Sequence, residues 1–263
     1  MKTAVTVALD PCFAAGPFVF HDLAQAVEHA TRLGFDALEL FPGDVSQLPP
    51  KSALGGLAVS AVGTGAGWVK HKLTLTSPDA EVRRAAGRFA RELSVAAHME
   101  YAAPVIVGSM QGRWGDGVSR DDALEWLAEG IAGVRGARPL LVEPLNRYES
   151  NLLNTLDDAA TLFDASSGWP EEGGVLADLF HMNIEEANLP QAIRDAGGHI
   201  GHVHFADSNR RPAGMGHTDF APVVAALRDI GYAGYLSAEC FPYPDGVAAA
   251  EATMAAIRRL TAG

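Results

Sequence analysis

The sequence predicts an α/β fold, a (β/α)8 TIM barrel forming one domain over residues 1–263. Three observations carry that expectation. Eight short β-branched or aliphatic runs alternate with longer amphipathic ones. Several of the short runs are apolar on both faces, as strands of a helix-covered parallel sheet must be. An open doubly wound sheet would place a Gly-rich phosphate loop after an early strand, whereas here Leu9 leads into Asp10-Pro11-Cys12.

The first predicted strand is 3–9: the N-terminus Met1-Lys2-Thr3-Ala4-Val5-Thr6-Val7 alternates like a strand and lacks a signal-peptide cleavage pattern, so a cytoplasmic location is expected. Leu23, Ala26, Val27, Ala30 and Leu33 then keep helical spacing, and Gly34 suits the left-handed position that ends a helix. Strands follow at 36–40 and 57–63. Ser77-Pro78 reads as an N-cap with proline at the first helical position. The fourth strand, 102–108, contains the two-faced apolar run Pro104-Val105-Ile106-Val107. Ser119 with Asp122 resembles a capping box ahead of the stripe Leu124, Leu127, Ile131 and Val134. The fifth strand is expected at 139–144, and Thr155 with Asp158 repeats the capping pattern. Strands at 174–179 and 199–205 precede a stripe of Phe220, Val223, Val224, Leu227 and Ile230, ended by Gly231. The eighth strand is expected at 232–239.

Composition excludes several classes. With 48% hydrophobic and 20% charged residues the chain is an ordinary core-former. No apolar run is long enough to span a bilayer, so no membrane partner is expected. A formal net charge of −12 opposes binding to phosphate backbones, so nucleic acid is not an expected partner. Cys12 and Cys240 are read as two buried small thiols; they form neither a zinc-type cluster nor a disulfide framework. A homo-oligomer is compatible with all of this.

Barrel enzymes place their chemistry where strands end. The fifth strand ends in Leu141-Val142-Glu143-Pro144, the sixth in Leu176-Ala177-Asp178, the seventh in Val203-His204 and the eighth in Ser237-Ala238-Glu239. Any one of these could be a solvated loop carboxylate or a satisfied core histidine. Four at consecutive strand ends form a constellation, and three converging carboxylates repel unless a cation joins them. Glu143, Asp178, His204 and Glu239 are therefore read as ligands of one divalent metal ion. An oxygen-rich set with one imidazole suits Mn²⁺, Mg²⁺ or Co²⁺, with Zn²⁺ less well matched.

Glu143-Pro144-Leu145-Asn146-Arg147-Tyr148-Glu149, Ala177-Asp178-Leu179-Phe180-His181-Met182-Asn183 and His202-Val203-His204-Phe205-Ala206-Asp207-Ser208-Asn209-Arg210 resemble the D-tagatose/D-psicose 3-epimerase family of xylose-isomerase-like barrels. The resemblance extends over nearly the whole chain and is strongest from Val142 to Phe241. Ala61-Val62-Gly63-Thr64-Gly65 and Gly214-Met215-Gly216-His217-Thr218-Asp219-Phe220 are similar to the subgroup acting on keto-aldonates, typified by 5-keto-L-gluconate epimerase. The resemblance implies an enzyme whose partner is a small keto-sugar or keto-sugar acid. It implies that Glu143, Asp178, His204 and Glu239 hold a metal, Mn²⁺ first. Glu143 and Glu239 would also be the acid/base pair, working through a cis-enediolate. His181 and Arg210 would hold the substrate oxygens near the carbonyl, and Glu149 would contact substrate and orient His181.

Other residues carry weaker signals. Arg113, after the fourth strand, is a candidate for a substrate carboxylate, with surface solvation the bland alternative; Arg211 is a weaker one. His217 lies in a Gly-rich loop near the mouth and is a candidate substrate contact. His202 is read as pointing opposite to His204, buried behind the barrel. His21, Trp68 and His71 are placed in early loops that shape the pocket, and His98 and His199 are read as structural.

Two enzymatic alternatives use the same fold. An aldose–ketose isomerase of the hydroxypyruvate or 2-oxo-tetronate type would employ the same metal and glutamates. An endonuclease IV-like nuclease would need histidines from the third and fourth strands, which here end in Gly63-Thr64-Gly65 and Gly108-Ser109. A non-catalytic sugar-binding barrel would not need two opposed bases.

Overall fold

The computed structural model describes residues 1–115, 117–135, 139–165 and 173–261. Eight parallel strands close in sequence order: β1 (Lys2–Ala8), β2 (Ala37–Phe41), β3 (Ala58–Gly63), β4 (Val105–Val107), β5 (Leu140–Val142), β6 (Gly174–Asp178), β7 (Ile200–His204) and β8 (Tyr235–Ala238). β8 returns to pair with β1, with Ala4 opposite Ser237. The expected (β/α)8 barrel is the fold observed.

The helices between the strands form where the apolar stripes lie. α1 (Leu23–Leu33) is capped by Asp22 and ends at Gly34, whose φ of 78° is the left-handed geometry a glycine adopts without penalty. α2 (Ala66–Val69) is one short turn after β3, and α3 (Ala80–Tyr101) is the longest helix. The N-cap of α3 is Asp79, not Ser77. The Asp79 carboxylate accepts from Glu81 N at 2.8 Å, while the Ser77 hydroxyl accepts from Asp79 N at 3.2 Å and shapes the turn before the cap. α4 (Arg120–Arg135) begins at the expected Ser119, whose hydroxyl takes the N–H of Asp122 at 3.1 Å. α5 (Leu156–Ala165) opens with a reciprocal box: Asp158 N donates to Thr155 Oγ1, and Thr155 N to Asp158 Oδ2, each at 3.1 Å. α6 (Leu179–Glu185), α7 (Leu189–Ala196), α8 (Phe220–Asp229) and α9 (Gly246–Thr261) complete the ring.

Burial has the two-shell pattern of a barrel. The main core lies between strands and helices, and takes in Val5, Val7, Leu38, Leu40, Val105, Val107, Leu127, Ile131, Val223 and Leu227. Inside the barrel, Ala61, Ile106, Leu141 and Leu176 form a separate small cluster. It supports the residues at the C-terminal ends of the strands from below. No helix among the described residues is long and apolar enough to cross a membrane.

Candidate metal centre

β5 to β8 present their terminal side chains to one point. Asp178 and His204 are the last residues of β6 and β7; Glu143 and Glu239 each stand one residue beyond β5 and β8. One ligand atom from each of the four lies within 4.8 Å of the others, and all four residues are buried. Atoms on opposite sides of one ion, at bonds of about 2.0–2.3 Å, would stand about 4–4.6 Å apart. The spacing and the donor set, three carboxylates and one imidazole, thus fit a divalent metal. The four residues read from the strand ends are brought together.

Each ligand atom is held by its own local device. Asp178 Oδ1 accepts from Phe180 N at 2.7 Å and so caps α6, leaving Oδ2 to face the cluster. His204 Nε2 lies 2.9 Å from Glu39 Oε1. Its Nδ1 then sits 3.3 Å from Asp178 Oδ2, 3.5 Å from Glu239 Oε2 and 3.6 Å from Glu143 Oε1. Gly108, just past β4, makes room for Glu143: a Cβ there would lie 2.3 Å from Glu143 Oε2.

The electrostatics reflect crowding. Burial raises the Glu143 carboxyl above its ordinary pKa, and neighbouring Glu239 adds to the rise against the pull of His204. Burial also acts on Asp178, but His181, His204 and Arg210 outweigh it and hold that carboxyl below its ordinary range. Burial opposes a charge on His204, yet Glu239, Glu39, Asp178 and Glu143 hold its protonation well above the usual value. A cation at this point would take over the role of that proton.

His181 and Arg210 stand beside the cluster. The backbone N–H of Asn146 donates to His181 Nδ1 at 3.2 Å, and the Asn146 amide nitrogen lies 2.7 Å from the same atom. Nδ1 is therefore an acceptor and Nε2 carries the proton, 3.7 Å from both Glu143 Oε1 and Asp178 Oδ2. Glu149 reaches His181 through Asn146: its Oε1 accepts from Asn146 Nδ2 at 3.1 Å but stands 4.0 Å from His181 Nδ1. Asn146 is thus the residue hydrogen-bonded to Nδ1 of His181, and sequence reasoning quoted it without giving it a role.

Arg210 donates from one terminal nitrogen to Glu239 at 2.9 Å and from the other to Glu149 at 3.2 Å, with its guanidinium over the Phe180 ring. Its φ of 57° is left-handed, a costly geometry held here by its loop. The Asp207 carboxylate fastens that loop, accepting backbone N–H groups from Ser208, Gly214 and Thr218 at 2.7–3.0 Å.

Above the cluster opens a cavity of about 550 Å³, lined among others by Glu143, Glu149, His181, Arg210, Glu239 and Arg113. Its far wall is aromatic. Phe13, Phe18 and Phe41 pack against one another with ring centroids 4.4–6.1 Å apart, and Trp68 joins them. Arg113 is exposed, with its guanidinium 3.5 Å from the Glu149 carbonyl. His217 is exposed outside the cavity lining, and its backbone N–H donates to Ser208 Oγ. His21 and His71 also lie outside the lining; Nε2 of His71 is 3.2 Å from the Gly43 carbonyl. Arg211 stacks over Tyr243. Cys240 is buried as expected, whereas Cys12 is only half-buried and lines the cavity.

His202 requires a correction. It does not lie behind the barrel but faces the interior beside His204, with Nε2 2.9 Å from Glu39 Oε2. Side chains alternate along a strand with period two, so residues two apart share a face. Glu39, on β2, is the partner that sequence reasoning missed: its two oxygens take the two imidazoles, and it is fully buried. Burial alone would push its carboxyl up, but His204 and His202 hold it below its ordinary value.

Residues 27–260 match the xylose isomerase-like TIM barrel family. The chain is 34% identical over 235 residues to a D-psicose 3-epimerase of Agrobacterium fabrum, an alignment covering 82% of this chain and 78% of that protein. It is 38% identical over 122 residues to the 3-dehydro-D-guloside 4-epimerase of Escherichia coli, covering 46% and 45% of the two chains. The crystal structure of a D-psicose 3-epimerase in the presence of D-fructose matches over 100% of both chains, with a TM-score of 0.80 at 23% identity, a likeness of fold. The chain belongs to the xylose isomerase-like TIM barrel family and, within it, to the sugar epimerases.

Proposed function

We propose that this chain inverts the carbon next to the ketone of a keto-sugar or keto-aldonate, with Glu143 and Glu239 as the acid/base pair. The carrying observation is that both carboxylates reach one buried point at the floor of the cavity, from strands three places apart around the barrel. Glu143, Asp178, His204 and Glu239 would hold one divalent ion, Mn²⁺ in preference to Mg²⁺, Co²⁺ or Zn²⁺. When bound, the ion supplies Lewis-acid polarisation of the ketone and the adjacent hydroxyl.

The residues account for the rest. One glutamate takes the proton from the carbon beside the ketone, and the C–H electron pair moves through the new C–C double bond onto the ketone oxygen. The protonated Nε2 of His181 and the guanidinium of Arg210 donate to that developing oxyanion. The second glutamate, protonated beforehand, returns a proton to the opposite face of the same carbon. The ketone reforms with that centre inverted, and proton and charge balance.

The substrate proposed first is a six-carbon keto-aldonate or uronate of the 5-keto-L-gluconate and D-tagaturonate type, with ketohexoses turned over more slowly. Arg113 supports this, since an exposed guanidinium at the cavity wall suits a substrate carboxylate. The size of the cavity and the likeness to the guloside 4-epimerase favour a keto-glycoside as a second reading. A panel of ketohexoses, keto-aldonates and keto-glycosides, assayed after chelation and again after adding back Mn²⁺, tests both. Activity that survives complete metal removal would overturn the metal reading; turnover of none of the three classes would overturn the substrate reading.

A further inference from the structure

We propose that Glu39 is the positioning residue of the metal centre, fixing the ring orientation and tautomer that turn the Nδ1 lone pair of His204 towards the ion. The inference rests on reading Glu143, Asp178, His204 and Glu239 as the ligand set. Glu39 comes from β2, across the barrel interior from β7, and contributes nothing to that set itself. It is completely buried, its Oε1 is 2.9 Å from His204 Nε2, and its Oε2 is 2.9 Å from His202 Nε2.

A carboxylate in this position only accepts hydrogen bonds, so both imidazoles present N–H at Nε2. For His204 that leaves the Nδ1 lone pair, the atom 3.3–3.6 Å from one oxygen of each ligating carboxylate. A ring turned by 180° about its Cβ–Cγ bond would put the carbons Cδ2 and Cε1 where Nδ1 and Nε2 now stand, and the hydrogen bond from Nε2 to Glu39 holds the ring against that turn. His202 holds the second oxygen, so the carboxylate cannot swing away from His204. Carboxylate partners of this kind orient a ligating imidazole and increase its donor strength, and losing one weakens metal affinity 10- to 100-fold.

The test measures binding rather than turnover. Metal-free protein is titrated with Mn²⁺ by equilibrium dialysis in the wild type, E39Q, E39A and E39D. The dissociation constant should rise roughly 10- to 100-fold in E39Q and E39A, with partial recovery in E39D, which keeps the anion. In parallel, ¹⁵N-histidine NMR of Zn²⁺-loaded wild type should show His204 protonated at Nε2 and coordinated through Nδ1. Coordination through Nε2 would overturn the proposal even if the variants failed to fold. So would folded E39Q and E39A that bind Mn²⁺ within twofold of wild type. A wild type that binds neither ion would instead overturn the ligand-set reading beneath it.

Discussion

Gly108→Ala tests the ligand geometry from a residue with no chemistry of its own. A Cβ built at Gly108 lies 2.3 Å from Glu143 Oε2. Ordinary carbon–oxygen contact needs roughly 3.3 Å or more, so the carboxylate would have to retreat by about 1 Å, several times the ~0.2 Å latitude of a metal–ligand bond. Oε1 of the same carboxylate is the oxygen 3.6 Å from His204 Nδ1, so a retreat of Oε2 moves the candidate ligand oxygen with it. Loss or distortion of one ligand of four should weaken Mn²⁺ binding at least tenfold, about 1.4 kcal/mol or more. Isothermal titration of metal-free G108A against wild type reads this directly, with circular dichroism confirming that the barrel persists. Wild-type affinity in a folded G108A would show that the position of Glu143 is not what holds the ion.

Other perturbations separate substrate handling from metal binding. Arg210→Ala should cut turnover by about 10²–10³ through loss of an oxyanion donor. Metal affinity should stay level or tighten, because a cation 2.9 Å from Glu239 has been removed; a variant that loses its metal would put Arg210 in the wrong role. His181→Ala should behave alike in turnover with metal content near wild type, and equal loss of metal in both variants would misplace the ligand set. Burial, helped by Asp10, pushes the Cys12 thiol up to about 11 from an ordinary 9.0. Thiolate is the alkylating form, so at pH 8 Cys12 should label with iodoacetamide on the order of 100-fold more slowly than a free thiol, accelerating as pH rises towards 11. Labelling at the free-thiol rate would refute the shift.

The barrel was legible because its signals are local. Two-faced apolar runs, the Gly34 terminator and the capping pairs at Ser119 and Thr155 all act within a few residues of where they are written. Glu143, Asp178, His204 and Glu239 stood out for a related reason: each closes an apolar run, where a polar side chain meets the barrel mouth. Glu39 did not, because a charge inside the run Ala37-Leu38-Glu39-Leu40 declares nothing until its partners 163 and 165 residues later fold against it. His202 was legible in principle from the two-residue period of β7. At Ser77 and Asp79 two side chains stood near one cap: Asp79 takes it, while Ser77 accepts from the backbone N–H of Asp79. Asn146 was hidden because its function lies in a hydrogen bond to His181 on α6, formed only when the loop after β5 closes over it.

The central claim is inversion at a single carbon. Incubating the Mn²⁺-loaded protein with 5-keto-L-gluconate, and separately with D-psicose, in D₂O and following the products by ¹H and ¹³C NMR tests it most directly. The proposed two-glutamate chemistry predicts an epimer carrying deuterium at the inverted centre, with the ketone on its original carbon. Deuterium on the neighbouring carbon with the carbonyl moved would contradict it and make the protein an aldose–ketose isomerase.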